Sequence, residues 1–235
     1  MQIDRYFYIT TLSALGELGT APPMGIADLT EHVSEHPRWR RLVGAMVLFD
    51  DLRQREAFLA GEIDEVDPSV LTVQQARNEA PLPDYLLADT IDDDRLTIES
   101  DRVWASYFRY ASKLGREAGS RFLTRWVGYE VALRNALAAA RARRLGLEEA
   151  GYQVAAELAD DTEDLSDVIR EWESAATPLE GHRIALRARW DWIGRHDAWF
   201  SFSEDELFVH AARVMLLEIW LRSVDKDEAG VARGN

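Results

Sequence analysis

The chain has 235 residues, 47% of them hydrophobic, no cysteine, and a net charge of −15 from 42 acidic and 27 basic side chains. The charge argues against nucleic acid as a partner, because such affinity comes largely from Lys and Arg on phosphates. The missing thiols exclude disulfides, thiolate nucleophiles and cysteine-ligated metals, while the length allows a sizeable core.

The N-terminal part of the chain predicts short elements followed by one long helix. Residues 5–12 are aromatic and β-branched, which favours a short extended segment or strand. Residues 38–61 carry a long helical pattern in which polar side chains crowd the middle. Asp67-Pro68 has the form of a further helix start.

A polar run predicts the main hinge of the chain at residues 90–99. It divides the sequence into an N-terminal helical lobe at 1–90 and a C-terminal helical bundle at 91–235. One continuous domain is the alternative.

The strongest helical pattern lies at residues 120–146. Ser120 is placed to cap the helix and Gly146 to end it in a left-handed conformation. Glu130 and Arg134 stand four residues apart inside the apolar arc, where they can pair on one face. We expect a structural ion pair, since charges in a core survive mainly when paired.

The C-terminal part predicts further helices. Residues 147–160 form a weaker pattern, residues 165–172 a short helix, Pro178 starts another, and a final helix begins near Ser203. The predicted fold class is therefore mainly α, a multi-helix bundle of helical hairpins, with the short extended segment at the N-terminus.

One motif suggests metal chemistry. His32, Glu35 and His36 fit H-x-x-E-H, in which two histidines one helical turn apart bind zinc. Pro37 follows at once, so the second histidine sits at a helix end. A metal-dependent hydrolase using these residues is kept as an alternative function, while the main expectation is no bound metal and no cofactor.

Several side chains are candidates for a surface that binds a partner. Aromatic residues and arginine are enriched at protein interfaces. The candidates are Trp39, Trp192, Trp199, Arg141, Arg143 and Arg144.

Several stretches, in order along the chain, together resemble the DUF2764 family. They are residues 6–12 (YFYITTL), 21–24 (APPM), 48–56 (LFDDLRQRE), 126–137 (WVGYEVALRNAL), 141–146 (RARRLG), 178–180 (PLE), 189–192 (RWDW), 200–202 (FSF) and 217–221 (LEIWL).

The resemblance implies a function without catalysis. The DUF2764 family is similar to the C subunit (eukaryotic d) of V/A-type rotary ATPases, an all-helical adaptor between the central stalk and the membrane rotor ring. It implies other ATPase subunits as partners in ion transport, and no catalytic residue. A helical scaffold or regulatory protein is a further alternative.

The location expected from the sequence is the cytoplasm. The first residues lack the basic and apolar regions of a signal peptide. No window of about 18 apolar residues is free of charge, so we expect no membrane insertion. Peripheral attachment to the membrane would occur through the complex.

Overall fold

A computed structural model describes residues 8–87, 98–197 and 203–233. These residues are mainly helical and contain no strand, which confirms the predicted fold class. The α-helices are α1 (Ile26–His32), α2 (Pro37–Leu59), α3 (Val73–Ala76), α4 (Glu99–Ala118), α5 (Arg121–Leu145), α6 (Ser166–Ser174), α7 (Pro178–Arg195) and α8 (Glu204–Arg233), and 3₁₀ turns lie at Asp84–Leu86, Glu149–Tyr152 and Ala156–Leu158.

The chain divides into two compact units. The first unit comprises Met1–Val43 and Glu171–Asn235, and the second unit comprises Gly44–Arg170. The chain passes between them within α2 and within α6. The predicted hinge falls almost wholly on residues 88–97, which lie outside the described residues, so the division at residue 90 stays a prediction.

A helical hairpin of α4 and α5 forms the body of the second unit. Gly119 turns the chain in a left-handed conformation with a φ of 69°. The hydroxyl of Ser120 then accepts a hydrogen bond from the backbone N–H of Leu123, as predicted for its cap. Gly146 ends α5 with a φ of 68°, again as predicted.

Aromatic side chains from three helices form the core of this unit. Phe49 of α2 meets Trp104 of α4 edge to face, with ring centroids 5.3 Å apart, and Trp126 of α5 at 6.2 Å. The hydroxyl of Tyr107 donates to the carbonyl oxygen of Ala45 at 3.1 Å. The edge-to-face ring contacts and the hydrogen-bonded phenol of Tyr107 fix the arrangement of these side chains, which apolar burial alone would not do.

A glycine on α5 allows another part of the chain to approach closely. The backbone N–H of Asp160 donates to the carbonyl oxygen of Gly128 at 3.0 Å. A Cβ at Gly128 would lie 3.3 Å from the carbonyl oxygen of Leu158. This is closer than most Cβ contacts, so the neighbouring backbone would have to shift. The side chain of Asn135 extends this contact by donating to and accepting from the backbone of Val154.

The crowded polar side of α2 is buried, and it holds the segment that follows the helix. The Asp51 carboxylate accepts hydrogen bonds from the backbone N–H groups of Ser69, Val70 and Leu71 at 2.7 to 2.8 Å. The amide of Gln54 bonds both the N–H and the carbonyl of Asp67. Burial raises the pKa of Asp51 to about 6, while these backbone bonds act to lower it.

These contacts explain why Asp67-Pro68 does not begin a helix. The backbone N–H groups just after Pro68 are bonded to Asp51, so the chain stays irregular until Thr72 caps α3. The predicted helix start is therefore wrong, and α3 begins at Val73.

In the first unit, the start of α1 is held by α8. The backbone N–H of Ile26 donates to the Glu218 carboxylate at 2.9 Å, and a Cβ at Gly25 would meet that oxygen at 2.9 Å. A carboxylate is well placed there, because free N–H groups at a helix N-terminus favour negative charge. Thr177 caps α7 by accepting from the N–H of Glu180, with Pro178 in the first turn as expected.

Two further predictions need correction. Residues 8–10 are helical, so the predicted strand at 5–12 is not formed in its described part, and residues 5–7 lie outside the described residues. Residues 147–160 contain two short 3₁₀ turns instead of a weak α-helix. There the chain bonds to the side of α5, which competes with its own helical hydrogen bonds.

Within the described residues, no helix combines the length and the apolar character needed to cross a bilayer.

Replacing Asp51 by alanine tests the role of the buried face of α2. The N–H of Leu71 would stay buried without an acceptor, while those of Ser69 and Val70 can reach water. We expect Asp51→Ala to lower the free energy of unfolding by about 2 kcal/mol, measured by urea denaturation at pH 7.5. Asp64→Ala removes an exposed carboxylate from the same segment and should change the free energy of unfolding little. An equal loss of stability in the two variants would contradict this role of Asp51.

Candidate functional site

Four side chains from three helices form a polar cluster, here called the Arg134 cluster: Glu56 of α2, Asp101 and Trp104 of α4, and Arg134 of α5. The guanidinium of Arg134 donates to Asp101 at 3.0 Å and pairs with Glu56 at 3.6 Å. The indole N–H of Trp104 donates to the other oxygen of Glu56 at 3.2 Å. The guanidinium also lies 4.8 Å from the ring centroid of Trp104.

This arrangement favours stiffness over acid–base chemistry. One cation bridges two carboxylates and covers an aromatic face, so each helix of the cluster is joined to the other two. The side chain of Asp101 is 13% exposed and that of Arg134 25% exposed, which protects the pair from full screening by water. The Asp101 carboxylate is thus engaged by a guanidinium, which offers only hydrogen-bond donors.

Glu130 lies one turn before Arg134 and is 1% exposed. Its negative charge acts on the phenol of Tyr107, whose pKa is raised first by burial and then by this carboxylate. The described ion pairs of Arg134 are those with Asp101 and Glu56. Burial of Glu130 agrees with a core position, while its direct pair with Arg134 stays a prediction.

Two tryptophans predicted for a partner surface are core residues instead. Trp39 is 1% exposed, with its ring stacked 3.9 Å from that of His36 and edge to face with Tyr8 at 5.1 Å. Trp192 is fully buried and stacks on His196. The prediction is therefore corrected for both, because their rings pack inside the first unit. Trp199 lies outside the described residues.

The three arginines predicted for a partner surface lie where a partner could reach them. Arg141, Arg143 and Arg144 are exposed in the last turns of α5. Arg143 forms an ion pair with Glu149 at 3.2 Å. Their role in binding stays a prediction.

The H-x-x-E-H motif does not lie on one helix. Helix α1 ends at His32, and a turn precedes His36, so the one-turn spacing that a zinc motif needs is lost. Glu35 is exposed on that turn. Among the described residues, no group of three or more His, Asp or Glu side chains is placed to hold a metal ion.

All five histidines of the chain fall in the first unit, and His210 of α8 is the most buried of them at 6% exposed. Its Nε2 has no hydrogen-bond partner among the described residues. Burial, with the charges of Arg213 and His32, lowers the pKa of His210 to about 4. Arg213 is itself paired with Asp197 at 2.9 Å.

Sequence reasoning missed three of the four members of the Arg134 cluster. Glu56 was visible as part of the polar side of α2, and Trp104 as an apolar residue of α4. Asp101 carried no signal beyond its place in the first turn. Their meeting depends on the packing of α2, α4 and α5, which no spacing along the chain encodes.

Comparison with known proteins gives one match. The model of a family described as "Protein of unknown function (DUF2764)" matches residues 62–231, which is more than half of the chain. No curated protein and no solved structure matches. The resembling stretches at 126–137, 141–146 and beyond fall inside the matched region, while 6–12, 21–24 and 48–56 precede it.

Replacing Arg134 by alanine should destabilise the second unit. Asp101 would keep a mostly buried charge without its cation, and Trp104 would lose the guanidinium above its ring. We expect the free energy of unfolding to fall by about 2 kcal/mol in urea, less than for a fully buried pair. Arg109→Ala, which removes an exposed ion pair with Glu157, is the matched control and should cost less than about 1 kcal/mol.

His210 should make the first unit sensitive to acid. Its pKa is near 6.5 in the unfolded chain and about 4 in the folded one, so only the unfolded chain gains a proton between these values. Stability is therefore complete above pH 6.5 and falls by about 3 kcal/mol as the pH drops to 4. Hydrogen exchange of α8 amides at pH 7 and pH 5, corrected for the intrinsic exchange rates, measures the loss.

The matched variants for this experiment are His210→Phe and His36→Phe. His210→Phe removes the titrating group and should weaken the dependence on pH. His36→Phe keeps His210 and an aromatic ring against Trp39, so the dependence should remain. An unchanged dependence in His210→Phe would overturn the assignment.

Proposed function

The chain belongs to the DUF2764 family, and from that premise we propose that it is a non-catalytic adaptor subunit of a V/A-type rotary ATPase. In this proposal it corresponds to the C subunit (eukaryotic d) and links the central stalk to the membrane rotor ring in ion transport. It acts in the cytoplasm, at the membrane periphery, through the complex.

The observation that carries the proposal is the Arg134 cluster. An adaptor that passes torque must resist sliding of its helices against one another. A single guanidinium bonded to α4 and α2 from α5 opposes such sliding, because any shift would break charge-assisted hydrogen bonds in a partly desolvated place. The mainly helical fold and the resemblance of residues 126–146 to the family support the same role.

The placement of the charged residues also favours an adaptor over a hydrolase. Two carboxylates of the second unit are almost fully buried: Asp51 holds a backbone segment, and Glu130 lies within the helical core. His32 and His36, on which the hydrolase alternative depends, are separated by the end of α1. No specific contact in the described residues favours that alternative.

The proposal is tested by purifying the tagged chain from its native cells in mild detergent. We expect rotary ATPase subunits to be recovered with it in constant ratio. We also expect deletion of its gene to lower ATP-driven ion transport in isolated membrane vesicles, because stalk and ring would no longer be linked. Purified chain without ATPase subunits, together with unchanged ion transport, would overturn the proposal.

Variants returned to the deletion strain refine this test. Arg109→Ala should restore ion transport fully, whereas Arg134→Ala should restore it only in part at equal protein level, since it loosens the three-helix link. His36→Phe should restore it fully, because an adaptor does not need this imidazole. A metal hydrolase would lose activity with His36→Phe.

A further inference from the structure

The tip at the C-terminal end of α5 presents apolar side chains on a fixed backbone. Leu145 is 64% exposed, the most of any large apolar side chain among the described residues, and Leu147 is 45% exposed. The N–H of Leu147 donates to the carbonyl oxygen of Ala142 at 2.9 Å, and Gly146 takes the left-handed conformation between the leucines. The backbone that carries the leucines is thus held in place before any partner arrives, which lowers the backbone entropy lost on binding.

The same tip is basic on a strongly acidic chain. Arg144 is exposed and makes no ion pair with any other described residue. Arg143 lies beside it in the last turn of α5, and Arg141 comes two residues before Arg143. Glu149 balances one of these cations. A chain of net charge −15 repels acidic partners in general, so a local cluster of arginines marks the place where such a partner can approach.

We propose that this tip, made of Arg143, Arg144, Leu145 and Leu147, is a docking surface for an acidic segment of a partner protein that also carries aliphatic side chains. The inference rests on the proposed function for the expectation that the chain works through protein partners. Arg144 would bind a carboxylate through two parallel hydrogen bonds, and the leucines would bury the aliphatic side chains beside it.

A protein segment fits this tip better than an anionic membrane surface. Electrostatic attachment to lipid uses clusters of about 4 to 8 cations. The tip has two arginines, with Arg141 just before them, and Glu148 and Glu149 follow. The charge of the whole chain also opposes approach to an anionic bilayer.

The first experiment places the photo-crosslinking residue p-benzoylphenylalanine at position 145 of the full chain in its native cells. A matched chain carries it at position 59, where Leu59 is 49% exposed at the end of α2. After irradiation, the crosslinked peptides are identified by mass spectrometry. We expect position 145 to yield an adduct with a net acidic protein segment that position 59 does not yield.

The second experiment titrates that segment, as a synthetic peptide, onto the purified chain. Arg144→Glu and Leu145→Ser should each weaken binding about tenfold, and added salt should weaken it further. Arg125→Glu changes an exposed arginine at the other end of α5, and Leu59→Ser an exposed leucine elsewhere, so both should bind as the original chain does. Circular dichroism confirms that every variant folds.

Four outcomes would overturn the inference: adducts at position 145 no stronger than at 59, adducts with lipid, an adduct with a basic segment, or equal binding by Arg144→Glu and Arg125→Glu. An acidic adduct from a protein outside the rotary ATPase would uphold the docking surface and count against the proposed function. Recovery of ATPase subunits without crosslinks at the tip would support the proposed function and overturn the docking surface.

Discussion

The requirement that buried charge be paired governs the second unit. Helix α2 buries Asp50, Asp51, Gln54 and Arg55 along one side, and an unpartnered polar group there would cost several kcal/mol. The Gln54 amide donates to Asp50 within the helix at 2.9 Å. The other partners come from outside the helix: a backbone segment at 67–71, Asn78 for Arg55, and Arg134 for the neighbouring Glu56. The polar side of α2 therefore positions an irregular segment and a helical hairpin at the same time.

Such a helix differs from the usual amphipathic one, whose polar side faces water. Its apolar side carries Phe49 into the aromatic core, while its polar side is satisfied by other parts of the protein. Both sides of α2 fix its position relative to the parts of the unit that it contacts. The polar side does so with greater geometric precision, because hydrogen bonds depend on direction. This precision suits a protein that we propose to transmit force and not to catalyse a reaction.

The parts of the fold that could be predicted are those with local causes. Ser120, Gly146 and Pro178 act on backbone groups within a few residues, so their positions along the chain were enough to place both ends of α5 and the start of α7. Asp67-Pro68 carried an equally good local signal, but hydrogen bonds from the following backbone N–H groups to Asp51 on the preceding helix overrode it. For the candidate site, Arg134 was recognisable as a charge in an apolar arc, whereas Asp101 was not. The burial of Trp39 and Trp192 likewise depends on packing partners that sequence spacing does not reveal.

The discontinuous course of the first unit has a consequence for synthesis on the ribosome. Residues 44–170 are synthesised before any of 171–235, and compact units generally fold as units during synthesis. The N–H of Ile26, by contrast, waits for Glu218, a carboxylate 192 residues later in the chain. The apolar surface of α1 and of the start of α2 therefore stays uncovered while most of the protein is made, and this nascent stretch is where a chaperone would have the longest opportunity to bind.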